Sequence, residues 1–401
     1  MSTIFSKNTR LLLIASGLMV ATACNKIYEP VPYTVYSEGD VANTLAKKIA
    51  ATSSYSIFNT ALTRTGLNAT LDVANAKFTV FVPDNTAMTA SGLSLAVVNA
   101  LPVASLTSLL NYHIIPNEQV TAADIPTAFP NIEKKTGLDI ATTAFVPSIP
   151  TTSIPIKMSI FPSKRTGGAW ANNVPIVATD VVTGSNGVVH RVATAVAPPT
   201  RVLLDTLSRD ADFTYLMAAI VRADSGLVTT ASPSLQYALA QPFANLTVFA
   251  PTNAAFQATL TGAITLGLVN MGVPLATAQA QAAVLASSPT VFSNPALYPV
   301  LTAQLVRGIV VYHIMGVRAF SVNFGATAAN YPTLLNGAIP AHPGLAISST
   351  LVTNLGVGLS VKGAANATAA TAAGASVSNP QVDRMAVNGN FFKINQVLMP
   401  Q

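Results

Sequence analysis

Charge is scarce in this 401-residue chain: Asp, Glu, Lys and Arg make up 9% of it, with 21 basic and 15 acidic residues and a formal net charge of +6. The basic residues are scattered and not interleaved with aromatics along one face, so there is no electrostatic footprint for nucleic acid. Cysteine occurs once, at Cys24, so no disulfide can staple the fold and stability must come from buried apolar area. The four histidines, His113, His190, His313 and His342, lie far apart, with no His-x-x-x-His or Cys-x-x-Cys spacing, which gives no metal site and implies no cofactor. No Gly-x-Ser-x-Gly elbow or Cys/His arrangement supplies a nucleophile, so no catalytic residue is assigned. A carboxylate pair could still meet in a fold, which keeps an unrecognised hydrolase as one alternative. Beyond residue 23 no apolar stretch spans a membrane without polar or glycine interruption, although 50% of the chain is hydrophobic.

What is present begins at the N-terminus. Lys7 and Arg10 precede an apolar run from Leu11 to Ala23 that closes on Ala21-Thr22-Ala23-Cys24, the order of a secretory signal. At about 1.5 Å rise per residue the run reaches roughly 20 Å, short of the roughly 30 Å hydrocarbon core. The segment resembles a bacterial lipobox, with Ala21 where Leu is usual. This implies lipidation of Cys24, removal of residues 1–23 and anchoring through the N-terminal lipid. Asn25 after the cysteine lacks the Asp of inner-membrane retention, so the expected address is the cell envelope, at the outer membrane. Residues 24–40, with Pro30 and Pro32 among polar residues, read as a tether.

The rest of the chain repeats itself. Phe78-Thr79-Val80-Phe81-Val82-Pro83-Asp84-Asn85-Thr86-Ala87 answers to Leu246-Thr247-Val248-Phe249-Ala250-Pro251-Thr252-Asn253-Ala254-Ala255. Leu106, Leu109, Leu110, Tyr112 and His113 answer to Val306, Ile309, Val310, Tyr312 and His313, and Asn186-Gly187 to Asn388-Gly389. The separation from each histidine to its Asn-Gly pair is nearly the same. From Asn253 to His313 it is about twice that from Asn85 to His113, so the second copy carries an insertion, near residues 263–295. Its Ala- and Gln-rich centre, Ala276 to Ala286, reads as one added helix.

Phe213, Leu216, Met217, Ile220 and Val221 have the spacing of a helix with one apolar stripe, as do Ile57, Phe58, Ala61 and Leu62. Asp210 or Asp212 is a candidate N-cap for the first of these. Thr79-Val80-Phe81-Val82 is a strand stopped by Pro83. Short Val, Ile and Thr runs from Thr121 and from Phe320 read as further strands. The Ala/Thr run Ala364 to Ala373 reads as a mobile loop, and the two Asn-Gly pairs as tight hairpin turns.

The Thr-Val-Phe-Ala-Pro-Thr-Asn-Ala-Ala-Phe block, the Tyr-His block and the terminal Asn-Gly block together resemble the fasciclin (FAS1) domain. The resemblance implies an α+β fold of two tandem domains, residues 41–200 and 201–401, each a β-sandwich wedge with helices packed along one edge. It implies adhesion or extracellular binding to a polysaccharide or to an envelope or matrix protein. In animal members of that family the region around the Tyr-His pair is linked to integrin adhesion. Tyr112, His113, Tyr312 and His313 are therefore candidate binding residues, although their place on an apolar stripe suits a core role. Lys164, Arg165 and Trp170 form a second candidate group around Gly167-Gly168. Two cations and the only tryptophan suit a sugar ring or an acidic polymer, and the same residues suit a hairpin packed on its own sheet. A carbohydrate- or lipid-binding accessory lipoprotein for nutrient capture is the alternative function.

Overall fold

A computed structural model describes residues 38–140, 156–352, 355–372 and 382–401. The expected signal segment, Cys24 and most of the expected tether lie outside the described residues. A first short helix, Glu38–Ala42, begins where the tether was expected to end.

The repeated strand block sets the architecture. In the first lobe β1 (Phe78–Pro83) is buried along its whole length, as its β-branched and aromatic run requires. It pairs antiparallel with β2 (Ile114–Pro116). The chain continues through β3 (Lys134–Ile140) and β4 (Ile156–Ile160), a separate two-stranded ribbon. Strands β5 (Pro162–Arg165), β6 (Gly168–Ala171), β7 (Val174–Gly184) and β8 (Gly187–Val192) complete a six-stranded sheet of order β2-β1-β8-β7-β6-β5, in which β8 runs parallel to β1.

The second lobe repeats this core. Strand β9 (Leu246–Pro251) pairs antiparallel with β10 (Ile314–Met315). A second sheet of β11 (Ala329–Tyr331), β12 (Leu345–Val352), β13 (Leu355–Lys362) and β14 (Ala370–Ala372) follows. Strands β15 (Arg384–Ala386) and β16 (Gly389–Ile394) then return to β9 in the order β10-β9-β16-β15. Parallel pairing sets Phe78 opposite Gly187 in one lobe and Leu246 opposite Gly389 in the other, and Val80 opposite Ile114 matches Val248 opposite Ile314. Because a one-residue slip would exchange the side chains packed on the two faces of the sheet, this common register is strong structural evidence of duplication.

Helices cover one face of each core sheet. Phe58, Ala61 and Leu62 of the helix Ser56–Thr65 pack on Leu106 and Leu110 of the helix Val103–His113. The second-lobe helix Thr214–Ala223 buries Tyr215, Leu216, Ala219, Ile220 and Ala223 and leaves Val221 exposed, so its stripe is rotated from the expected one. Asp210 caps only the short 3₁₀ turn Ala211–Phe213. The Tyr215 amide is instead met by Asn253 Oδ1 at 3.1 Å, just as Asn85 Oδ1 accepts from the Ile57 amide at 3.0 Å.

Two further expectations change. Ala370–Ala372, within the expected mobile loop, is a strand paired to β13, with Ala370 and Ala372 buried; small side chains let the backbone sit tightly on the sheet. The Asn-Gly pairs are not the two central turn residues. Gly184 pairs with Gly187 and Ala386 with Gly389, so the turns are Ser185-Asn186 and Val387-Asn388. Each glycine is needed for close approach, since a Cβ on Gly187 or Gly389 would collide with the carbonyl of Phe78 or Leu246.

Candidate functional site

The Tyr-His pairs are interior staples. His113 is 1% exposed and His313 2%. Nδ1–H of His113 donates to the Leu109 carbonyl at 2.8 Å, and Nε2 accepts from the Val196 amide at 2.9 Å. Since a carbonyl only accepts and an amide only donates, the neutral tautomer is set. His313 repeats this with Ile309 at 2.8 Å and Leu398 at 2.8 Å. Burial holds both imidazoles down to about 4, partly opposed by the carbonyl contact. Tyr112 donates to the Ser159 carbonyl at 3.1 Å, and Tyr312 to the Gly344 carbonyl at 2.6 Å. Each pair thereby ties its helix to the chain that leaves the sheet, with no ring nitrogen left for a ligand.

The repeated asparagines act in the same way. Asn186 Oδ1 accepts from the Leu45 amide at 2.9 Å and Nδ2 donates to the Leu71 carbonyl at 2.8 Å; Asn388 does so with Leu203 at 2.7 Å and Leu239 at 2.9 Å. Thr79 and Thr247 are a third equivalent pair, accepting from the amides of Val120 at 2.7 Å and Ala319 at 2.8 Å. Identity between the two copies is the signal that finds these residues.

Lys164, Arg165 and Trp170 lie on the β5–β6 hairpin, whose two-residue turn is Thr166-Gly167 with Gly167 at φ +106°. Trp170 is 0% exposed and packs with Phe161 against Phe320 and Val322 of the second lobe, so it belongs to the junction between lobes and not to a surface platform. Arg318 closes the same junction. It is buried, stands 5.0 Å over the Phe161 ring and donates Nη2–H to the Val387 carbonyl at 2.9 Å. Desolvation lowers its guanidinium to about 10, against the pull of Tyr112 and Glu133.

Lys164 points its exposed side chain outward, and Arg165 reaches back to the Ala128 carbonyl at 3.0 Å and Asn131 Oδ1 at 3.1 Å. Asn131 in turn donates to Asn323 Oδ1 at 2.6 Å and to the Arg318 carbonyl at 2.9 Å. Around this bridge the junction opens into two clefts. One, of about 470 Å³, lies between Arg165 and Thr166 of the hairpin and Asn323, Phe324, Ser349 and Thr350. The other, of about 420 Å³, lies between Phe129 and Tyr331. Phe129, Phe324 and Tyr331 form a three-ring cluster between the clefts, with centroids 5.1 to 6.3 Å apart. The buried Ser349 hydroxyl, on the wall of the first cleft, has no hydrogen-bond partner among the described residues. Burial lowers the Arg165 pKa, with Tyr331 opposing it.

Of the expected binding residues, all of them described, only Arg165 and Lys164 reach a cleft rim or the surface. The aromatic and amide groups beside them come from non-equivalent loops of the two copies and carry no repeat signal. Among the described residues no group of three or more His, Cys, Asp or Glu could hold a metal, and no helix is long and apolar enough to cross a membrane.

Two α+β lobes with one core register, joined through a buried aromatic contact, define the class of molecule. Residues 53–198, within the first lobe, match the family model of the fasciclin domain. No curated protein sequence matches the chain. Among solved structures, it is similar to a FAS1 domain pair from the insect cell adhesion molecule fasciclin I. The identity is 13% over 88% of this chain and 95% of that one, with a TM-score of 0.32.

Proposed function

We propose that this protein is a non-catalytic binding protein of the bacterial cell envelope, held at the outer membrane by a lipid on Cys24, whose two lobes grip an extracellular polymer at their junction. The carrying observation is the composition of the junction clefts. The Arg165 guanidinium, the Asn323 amide, the unpartnered Ser349 hydroxyl in the wall and a ring cluster converge there from both lobes. Such a mixture of apolar wall and few polar groups suits ligand recognition. The fasciclin domain at residues 53–198 supports an adhesive role. The nutrient-capture alternative, which leaned on Trp170, would have to use Phe129 and Tyr331 as its sugar platform instead.

The test is a glycan array alongside adhesion to extracellular polymer, with Arg165→Ala and Tyr331→Ala as variants. Loss of adhesion by about tenfold or more in both, with circular dichroism unchanged, is expected; a tenfold loss corresponds to about 1.4 kcal/mol. Selectivity for one glycan that Tyr331→Ala abolishes would favour the carbohydrate reading. Adhesion untouched by either change would remove the junction from consideration.

A further inference from the structure

Between Asp224 and Arg307 the chain has no Asp, Glu, Lys, Arg or His, and this stretch contains the whole insertion. The insertion folds into more than the one helix expected. The helix that begins at the repeated Asn253 runs to Asn270, where its first-lobe counterpart stops at Ala90, and a second helix, Leu275–Leu285, lies against it. Several large side chains here face outward, among them Leu266, Met271, Leu275 and Val284.

The lengthened helix leaves a cavity of about 150 Å³ against the helices Thr214–Ala223 and Ala303–Tyr312. Phe256, Phe292 and Val306 are buried in its wall, while Ala263 and Leu305 are exposed at its rim. The surface it presents is wholly apolar. Water inside would find no hydrogen-bond partner, and an empty cavity forfeits the dispersion contacts of its lining. A dry apolar cavity of about this volume accepts benzene or xenon.

We propose that this cavity is a binding site for a compact hydrocarbon group of about six carbons, a site distinct from the junction clefts and built by the second-lobe insertion. Three features select that chemistry. The volume admits a single ring or branched alkyl group. The wall turns an apolar surface to the cavity, with Thr259 its one hydroxyl-bearing residue. None of the lining residues carries a charge to attract an ion.

The experiment is a calorimetric titration of the purified full chain with benzene and, separately, with phenol, backed by xenon NMR. Benzene should bind saturably and raise the melting temperature. Phenol should bind at least about tenfold more weakly, because its hydroxyl would be buried without a partner. Ala263→Phe fills the rim from an exposed helix position and should abolish benzene binding; Leu305→Trp does the same from the opposite wall, and circular dichroism confirms that each variant is folded. No saturable binding of benzene or xenon to the unaltered chain would overturn the proposal. So would benzene affinity that both folded variants retain.

Discussion

At the scale of single residues, the repeated polar side chains hold backbone together. His113 and His313 show the cost of that use. Above pH about 6.5 both imidazoles are neutral in folded and unfolded chains alike. As pH falls from 6.5 toward about 4, the unfolded chain takes up protons that the buried rings refuse, so stability is lost through that window. At about 1.4 kcal/mol per pKa unit each histidine accounts for roughly 3 kcal/mol. Asp383 has the opposite sign: burial raises it to about 6 against two hydrogen bonds from Ser321, so its contribution is present below 3.8 and lost as pH rises through about 6. Two histidines against one carboxylate leave a net loss on acidification. The urea midpoint should therefore be lower at pH 4.5 than at pH 7, and an equal or higher midpoint at pH 4.5 would contradict the neutral-staple assignment.

At the scale of elements, the two core sheets depend on a parallel pairing that only a glycine start permits. Gly187 sits at φ +153°, and any Cβ there meets both the Phe78 carbonyl and the Leu45 side chain. Gly187→Ala is expected to cost more than about 4 kcal/mol, in the exceptional range for one substitution, because the strand itself must move. Gly92, also at positive φ but with open space around it, is the control, and Gly92→Ala should cost about 1 kcal/mol. Comparison of the two urea midpoints checks this. Similar losses would mean that φ strain, and not the strand contact, sets the penalty. The hairpins that the Asn-Gly pairs marked are there, one residue earlier than the dipeptides placed them, because each glycine answers to a strand far along the chain and not to the turn.

At the scale of the whole molecule, the residues from Asp40 onward form one compact unit, and the contact between lobes runs through Trp170, Phe161 and Phe320. Burying aromatic rings across the junction couples the stability of one lobe to the other. Trp170→Ala should cost about 3 to 5 kcal/mol and split a single calorimetric transition into two. One sharp transition in the variant would show that Arg318 and the Asn131–Asn323 bridge suffice to couple the lobes.

How far the sequence reached follows from range. Duplication, the β1 and β9 strands and the Tyr-His helices were legible because each rests on periodicity or on identity between copies, whereas the cap expected from Asp210 or Asp212 fell to Asn253. The α+β fold was an implication of the family resemblance that those blocks carry. Which face of Thr214–Ala223 is buried, where Ala370–Ala372 pairs, and whether Trp170 meets solvent or Phe320 were decided only in three dimensions. Those outcomes depend on what an element packs against, and the partner lies far along the chain. The junction clefts and the insertion's cavity belong to that second kind. Their walls are assembled from segments that share no motif, because a void is defined by the shape its neighbours fail to fill.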